Sequence, residues 1–288
     1  MIAPNVSFEF FPPKSLEASF RLWDTVHTLA PLAPRFVSVT YGAGGTTRTL
    51  TREAVGTLHG SAGLNVAAHL TCVNASRAET MAIADEFHAA GVREIVALRG
   101  DAPKGSDGFQ PHPDGFANSC ELIAALKERD QFTIRVGAYP EAHPEAADAD
   151  ADVDYLKRKF EAGADEAITQ FFFNAATFLR FRDRCAAAGI DKPIIPGIFP
   201  IENWDGARRF AQSCGTSVPD WLDTAFGVAE RDGRSDLLAI AHATELCGTL
   251  MEEGVEDLHF YTLNRPELTR DICHALGVMP KVELRDVA

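Results

Sequence analysis

Residues 167–199, AITQFFFNAATFLRFRDRCAAAGIDKPIIPGIF, contain the unit from which the rest of the chain is built. The run Ala167 to Phe173 is apolar and rich in β-forming residues, and Phe178 to Ala188 has the spacing of an amphipathic helix. Gly189 then supplies a residue that tolerates positive φ, so the helix can stop and the chain can turn into the next apolar run, Ile194 to Phe199. The stretch therefore predicts strand, helix, glycine stop and strand.

The same unit recurs along the whole chain. Eight short apolar runs are predicted strands: 6–11, 36–41, 66–72, 95–98, 133–139, 167–173, 194–199 and 258–263. Helical patterns lie between them, for example at 18–29, 78–90, 122–129 and 178–188, and glycine stops follow at 91, 163, 189 and 254. The runs are nearly continuous in apolar residues, which is typical of strands buried on both faces of a parallel sheet.

These units predict one α/β domain over residues 1–288, a single (β/α)₈ TIM barrel. Eight βα units in about 260 residues match the size of that barrel, whereas an open doubly wound sheet has fewer strands. The long gap 201–257 holds at least two helical patterns, so we expect extra helices in the seventh βα unit. The Gly/Pro-rich segment 101–115 is expected to be a mobile surface loop.

Composition narrows the functional classes. A formal net charge of −14 argues against a general nucleic-acid binder, because phosphate backbones require a basic surface. The six cysteines are far apart, so reduced thiols in a cytoplasm are expected. No basic start followed by an apolar run and no stretch of about 18 apolar residues is present, so neither a signal peptide nor a membrane span is expected.

Polar residues follow most of the predicted strands. In barrels of this kind, the active site lies at the carboxyl ends of the strands. The residues at these ends are Glu9, Thr40, Tyr41, Gly42, His69, Arg99, Gly100, Asp101, Tyr139, His143, Gln170, Tyr261, Asn264 and Arg265. Singly, each has a structural alternative: Glu9 could pair with a lysine, His69 could be a core histidine, and Arg99 with Asp101 could form a loop ion pair. Together, they are expected to converge on one mouth.

Several short motifs are excluded. Gly42 to Gly45 suggests a dinucleotide fingerprint, but Thr47 stands where its last glycine is required. Ser106 stands where a P-loop needs lysine after 100–105. The acidic run 148–152 lacks the turn glycine and closing carboxylate of a calcium loop, and no other ligand spacing supports a metal.

Read with their neighbours, the strand ends resemble the methylenetetrahydrofolate reductase family in its compact bacterial form. The matching motifs occur in family order: VSFEFFPP (6–13), FVSVTYGA (36–43), HLTC (69–72), ALRGD (97–101), AYPEAHPE (138–145), LKRK (156–159), AITQFFF (167–173), PGI (196–198) and HFYTLNR (259–265). The chain departs from the family pattern at 44–46, at the alanine before His69, and in a longer 101–115 loop.

The resemblance implies a barrel that holds FAD without a Rossmann fold. NADH or NADPH would reduce FAD and leave, and 5,10-methylenetetrahydrofolate would then be reduced to 5-methyltetrahydrofolate in a ping-pong sequence. Glu9 would be the general acid at the folate N10, and Phe8, Phe10 and Phe11 are expected to supply part of the apolar surroundings that raise its pKa. Asp101 would face both pterin and flavin, where its charge stabilises a cationic folate intermediate.

The remaining roles follow from the same resemblance. The FAD contacts would be Thr40, Tyr41, Gly42, Ala43, His69, Arg99, Gly100, Asp101, Ala117, Tyr139, His143, Ala146, Asp152, Arg158 and Lys159. Within this set, Arg158 and Lys159 would neutralise the pyrophosphate, and Asp152 would bind a ribose hydroxyl. Glu9, Asp101, Gln170, Phe210 and Arg265 would bind substrate, with Arg265 on a folate carboxylate and Phe210 stacked on an aromatic ring.

Two other functions remain open on the sequence. One is a flavin- or deazaflavin-dependent reductase of another one-carbon carrier, since the same barrel could hold a related pterin. The other is a non-catalytic barrel subunit, which would be expected to have lost the acid or the substrate amide, although Glu9 and Gln170 are both present. The choice between NADH and NADPH and the oligomeric state, a homo-oligomer included, are also open.

Overall fold

A computed structural model describes residues 2–41, 48–101, 105 and 108–281. Its strands are β1 (Asn5–Phe10), β2 (Val37–Val39), β3 (Val66–Thr71), β4 (Glu94–Leu98), β5 (Thr133–Ala138), β6 (Glu166–Thr169), β7 (Ile194–Ile195), β8 (Gly197–Ile198) and β9 (Asp257–Tyr261). Its α-helices are α1 (Leu16–Leu29), α2 (Arg48–Gly60), α3 (Arg77–Ala89), α4 (Ser119–Glu128), α5 (Ala149–Glu161), α6 (Ala175–Ala187), α7 (Trp204–Cys214), α8 (Asp220–Arg231), α9 (Ser235–Glu252) and α10 (Pro266–Ala275).

The strands form one parallel sheet in the order β7-β6-β5-β4-β3-β2-β1-β9-β8, and helices alternate with them along the chain. This confirms the predicted (β/α)₈ barrel. The seventh unit holds three helices between β8 and β9, α7, α8 and α9, which are two more than a regular unit has. The four predicted glycine stops all have positive φ, between 80° and 115°. In the part of the chain that the structure describes, no helix is both long enough and apolar enough to cross a bilayer.

The seventh strand differs from its prediction. The expected single strand 194–199 is divided into β7 and β8 by Pro196, because proline has no N–H to give to a ladder. β7 pairs with β6, and β8 pairs with β9. The carbonyl of Pro196 accepts a hydrogen bond of 3.0 Å from His259 N. The two ends of the sheet therefore meet through this divided strand.

Gly197 makes that junction sterically feasible. Its N–H donates to Thr169 Oγ1 at 2.9 Å, and Tyr261 Oη donates to the Thr169 carbonyl at 2.6 Å. A Cβ at position 197 would overlap that carbonyl and would stand 2.5 Å from Tyr261 Cε2. Only glycine fits between these groups.

Successive residues of a strand point to opposite sides of the sheet. The barrel therefore has two apolar cores, one between the strands and the helices and one in the barrel interior. Phe8, Phe10 and their counterparts on other strands pack outward against the helices. The apolar layer inside the barrel is formed by Phe36, Ala67, Val96, Ile168 and Ile195.

Charged residues lie at the amino end of the barrel interior. Arg135 Nε donates to Glu166 at 2.8 Å, and its guanidinium also bonds Glu94 and lies 3.7 Å from the centroid of Phe36. Arg35 pairs with Asp257 at 3.1 Å and with Glu166. Because each buried charge has a partner, this network can lie inside the barrel at its amino end. Catalytic and binding residues are expected at the opposite, carboxyl end.

We predict that Gly197→Ala will lower the free energy of unfolding by about 1–3 kcal/mol, the usual cost of overpacking a filled site. Chemical denaturation of the purified variant and of the parent measures this difference in the free energy of unfolding. Gly227→Ala in α8 is the matched control, because a Cβ there meets nothing within 4 Å. Equal stability of the two variants would contradict the steric role given to Gly197.

Candidate active site at the carboxyl ends of the strands

Glu9 projects from β1 into the barrel interior. Its Oε2 lies 3.4 Å from His69 Nε2 and accepts a hydrogen bond of 3.4 Å from Ser38 Oγ. Its carbonyl accepts a hydrogen bond of 2.7 Å from Thr262 Oγ1, which ties β1 to the segment after β9. The side chain is 16% exposed, so the carboxyl group lies in a polar recess that a ligand can still reach.

The expectation that flanking phenylalanines form the apolar surroundings of Glu9 is wrong for Phe8 and Phe10. Phe8 and Phe10 are buried on the opposite side of β1, against the helices, and Phe11 is 41% exposed. The reason is the alternation of side chains along a strand, which turns the neighbours of an inward residue outward. The side chains of Ser38 from β2 and His69 from β3 contact Glu9 instead.

His259 is a second buried histidine near Glu9. Its Nδ1 lies 2.8 Å from Ser7 Oγ, and its ring stacks on Phe36 with centroids 5.5 Å apart. Burial lowers the pKa of His259 to about 4, against the opposing charge of Glu9. The imidazole is therefore neutral at neutral pH.

A cavity of about 470 Å³ lies beside this recess, lined by residues from β3, β4, β5, α4 and α5. Eleven of the residues that the resemblance assigns to FAD line it: Tyr41, Arg99, Gly100, Asp101, Ala117, Tyr139, His143, Ala146, Asp152, Arg158 and Lys159. Thr40 precedes Tyr41 and accepts a hydrogen bond of 2.9 Å from Thr51 Oγ1 at its carbonyl. His69 contacts Glu9 rather than the cavity, two residues before the lining Thr71 on β3. Gly42 and Ala43 lie outside the described residues, as do parts of the 101–115 loop.

Arg99 is held at one side of the cavity. Its two terminal nitrogens lie 2.6 and 3.2 Å from the carboxylate oxygens of Glu145, and its guanidinium lies 4.7 Å from the centroid of Phe109. The hydrogen bond to Glu145 raises the pKa of Arg99, and the same bond lowers the pKa of Glu145. The next residue, Gly100, has φ of 88°, and a Cβ there would stand 2.8 Å from Val73 Cγ1.

Lys159 is buried at the other side of the cavity. Its ammonium donates to the Gly137 carbonyl at 2.7 Å and lies 5.0 Å from the centroid of Tyr155. Burial lowers the pKa of Lys159 to about 8, with nearby Asp152 acting in the opposite direction. Asp152 accepts a hydrogen bond of 3.1 Å from His143 N, and burial raises its pKa. An anion entering here would raise the pKa of Lys159 again and stabilise its ammonium form.

Arg158 differs from Lys159 in its surroundings. Its side chain is exposed and its guanidinium lies 4.8 Å from the centroid of Tyr155. Among the described residues it forms no ion pair, so its charge is available to a ligand.

Tyr139 and Tyr261 connect the cavity with the Glu9 recess. Burial raises the pKa of Tyr139 to about 12, and the negative charges of Asp152 and Asp101 act in the same direction. Burial, together with the charge of Glu9, raises the pKa of Tyr261 well above its ordinary range. Both phenols are therefore protonated at neutral pH.

The three remaining substrate candidates lie near the strand ends β6 and β9. Gln170 follows β6, and its Oε1 accepts a hydrogen bond of 3.1 Å from Phe171 N. Phe210 on α7 is 43% exposed and stacks on Phe171, with centroids 5.4 Å apart and planes at 21°. Arg265 donates to Glu202 Oε2 at 2.7 Å, so this guanidinium already has a carboxylate partner. Burial raises the pKa of Glu202, although the bond from Arg265 opposes it.

Several lining residues were not predicted. They are Thr71, Ala97, Leu98, Phe109, Asn118, Ser119, Gly137, Glu145, Ala151 and Tyr155. Tyr155 had a usable signal, because positions 152, 155 and 159 share one face of a helix. Its hydroxyl lies 3.0 Å from Ser119 Oγ, which links α5 to the start of α4. The described residues contain no group of three or more His, Cys, Asp or Glu that could hold a metal ion.

A parallel barrel with a polar recess and a ligand-sized cavity at the carboxyl ends of its strands defines the class, a (β/α)₈-barrel enzyme. The family model described as Methylenetetrahydrofolate reductase matches residues 2–277. The chain belongs to the methylenetetrahydrofolate reductase family, and it is an oxidoreductase.

Individual proteins that are similar to the chain agree with this assignment. The 5,10-methylenetetrahydrofolate reductases of Pectobacterium carotovorum and Escherichia coli K12 are both 47% identical, over 279 and 277 residues, and each alignment covers 96% of this chain and 92% of that protein. A solved structure of a Clostridium thermocellum protein, described as binding two copies of 5-methyl-5,6,7,8-tetrahydrofolic acid, has a TM-score of 0.59 at 14% identity over 96% of this chain and 95% of that one. This last similarity shows the fold alone.

The pKa of His259 predicts an acid-side loss of stability. Between its ordinary value of 6.5 and the folded value of about 4, the unfolded chain binds a proton that the folded chain does not. The free energy of unfolding should therefore fall as pH decreases through this window, with His259 contributing on the order of 3 kcal/mol.

The variant His259→Asn removes this titrating group and keeps a side chain that can hydrogen-bond Ser7. Denaturation at a series of pH values should give a shallower decline below pH 6.5 than in the parent. The exposed His27, changed to Asn, is the control for the loss of an imidazole. An unchanged slope in His259→Asn would show that His259 does not make this contribution.

Proposed function

We propose that this chain reduces 5,10-methylenetetrahydrofolate to 5-methyltetrahydrofolate, with FAD held in the cavity and with NADH or NADPH as the electron donor in a ping-pong sequence. The observation that carries the proposal is the convergence of eleven residues from distant parts of the sequence on one cavity. The wall of that cavity continues along β3 from Thr71 to His69, which contacts Glu9. Membership of the family supplies the reaction type.

The chemistry of the cavity is suited to FAD. Its volume lies within the range of about 300–1,000 Å³ found for ligand pockets. Thr71 Oγ1 is buried and has no hydrogen-bond partner among the residues that the structure describes, and Gly137 leaves space where a side chain would otherwise project. Lys159 and Arg158 supply positive charge for a pyrophosphate in a protein whose net charge is −14. FAD bound here would supply two-electron hydride chemistry between a nicotinamide and a folate.

The residues of the mouth have separate roles in the proposal. Glu9 holds the proton that opens the folate ring at N10, and His69 and Ser38 orient its carboxyl group. Asp101 places a negative charge where positive charge develops on the folate. Gln170 offers an amide to the pterin, and Phe210 offers an exposed ring for stacking. Arg265 would bind the folate carboxylate by exchanging its partner Glu202 for the ligand.

The experiment that tests the proposal is an absorption spectrum of the purified protein, followed by anaerobic additions of NADH, NADPH and 5,10-methylenetetrahydrofolate in turn. We expect a flavin spectrum that bleaches with at least one nicotinamide and recovers with the folate. A colourless protein, or a flavoprotein inert to the folate, would favour another one-carbon carrier.

Glu9→Gln should keep the flavin and its reduction by the nicotinamide, because an amide retains the shape of the carboxyl group. It should lose at least about a hundredfold in folate reduction, since it has no proton to donate. Stopped-flow measurement of each half-reaction separates the two effects. Folate reduction at the parent rate would remove the acid role from Glu9.

Gly137→Leu tests whether the flavin occupies the cavity. A Cβ at this position meets only Leu98 Cδ2 at 3.6 Å and Tyr139 Oη at 3.8 Å, so the added side chain should extend into the space without disrupting the strand. We expect loss of bound FAD, measured by absorbance per protein, with circular dichroism unchanged. Gly137→Ala is the matched control and should retain most of the FAD. Full FAD content in Gly137→Leu would place the flavin elsewhere.

A further inference from the structure

The carboxyl end of α7 is joined to the loop after β5 by one carboxylate. Both oxygens of Glu141 accept hydrogen bonds from Ser217: one from its hydroxyl, the other from its backbone N–H at 3.1 Å. The two residues are 76 positions apart in sequence. We call this contact the Glu141–Ser217 clasp.

The backbone on both sides is shaped to bring these groups together. Gly215 ends α7 with φ of 72°, and a Cβ there would stand 3.3 Å from Pro144 Cγ. On the opposite loop, Ala142 has φ of 70°, an unfavourable conformation for a residue with a Cβ. Such a conformation persists when surrounding contacts fix it, and the clasp is adjacent to it.

A second contact fixes the same end of α7 to β6. Thr216 is buried, and its Oγ1 donates to the Phe171 carbonyl at 3.2 Å. Phe171 is also the residue on which Phe210 stacks. The segment directly after α7 is thus fixed to two neighbouring strand exits, and Phe210 lies one turn before the last helical residue, Cys214.

We propose that the Glu141–Ser217 clasp is a positioning device for Phe210, and that it sets the affinity of the mouth for its two exchanging substrates. This inference rests on the proposed function, in which Phe210 stacks on the nicotinamide or the folate. Glu141 and Ser217 are positioning residues, since neither lines the cavity.

The cavity side of the loop after β5, from His143 to Ala146, should keep its shape without the clasp, and this gives the proposal a specific kinetic signature. His143 N donates to Asp152, and Ala146 N donates to the His143 carbonyl at 2.8 Å, so the cavity side of the loop has its own hydrogen bonds. Loss of the clasp therefore releases the end of α7 rather than the FAD contacts. Ground-state and transition-state binding should weaken together, which raises KM and leaves kcat unchanged.

The variants Glu141→Ala and Ser217→Ala test the clasp from its two sides. We expect Glu141→Ala to raise KM for the folate and the nicotinamide by roughly fivefold to tenfold, the effect of losing hydrogen bonds to a charged group at an exposed site. Ser217→Ala keeps the backbone N–H and should give a smaller increase. Because both residues serve one contact, adding Ser217→Ala to Glu141→Ala should have little further effect. FAD content and kcat should match the parent.

A second measurement does not depend on activity. Cys214 is half-buried and lies three residues before Ser217, so its alkylation by iodoacetamide, followed by mass spectrometry of its peptide, reports on the end of α7. Labelling should be faster in Glu141→Ala than in the parent. Glu230→Ala, which removes an exposed carboxylate from α8, is the control and should change neither KM nor labelling.

The outcomes are distinguishable. Unchanged KM and unchanged Cys214 labelling in Glu141→Ala would overturn the clasp, and so would a loss of FAD or of kcat with KM unchanged. If the parent protein does not reduce the folate, the proposed function fails. In that case faster labelling still supports the clasp as the device that holds α7, and unchanged labelling overturns it.

Discussion

Closure of the parallel sheet at the Thr169, Gly197 and Tyr261 junction is the constraint on which the rest of this structure depends. A parallel sheet left open would expose two edges, and the residues of β1 and β6 would face no common interior. Pro196 interrupts the ladder at this place, so the hydrogen bonds of Thr169, Gly197 and Tyr261 take over part of the pairing. The junction also brings β9, which is paired with β1 and therefore with Glu9, next to the strand end that carries Gln170.

Inside the closed barrel, charge is arranged in two layers. At the amino end, Arg35 and Arg135 are satisfied by Glu94, Glu166 and Asp257, so this end contributes to structure. At the carboxyl end, polar groups are left incompletely satisfied: Thr71 Oγ1, for example, is buried and has no partner within the described part of the chain. Unsatisfied groups cost stability unless a ligand completes them, which is why such atoms are found where ligands bind.

The mouth uses its few cations in different ways. Arg99 is paired with Glu145, Arg265 is paired with Glu202, and Lys159 is buried with a lowered pKa. Only Arg158 combines exposure, a position on the cavity wall and the absence of a described ion pair. An anionic ligand would therefore meet one exposed cation without a described ion-pair partner, Arg158, and three cations that are paired or buried. The affinity of the site for an anion thus depends on how these three cations interact with their neighbours.

The sequence by itself determined the barrel, the insertion in its seventh unit and the set of polar strand ends, because these depend on periodicity, glycine stops and spacing along the chain. The sequence could not determine which residues surround Glu9. Phe8 and Phe10 are its neighbours in sequence but face the helices, whereas Ser38 and His69 come from other strands. The burial of Lys159 and the pairing of Arg265 were likewise decided by tertiary structure. The physical reason is that burial and partner choice are properties of packed, non-local contacts, which a local pattern does not encode.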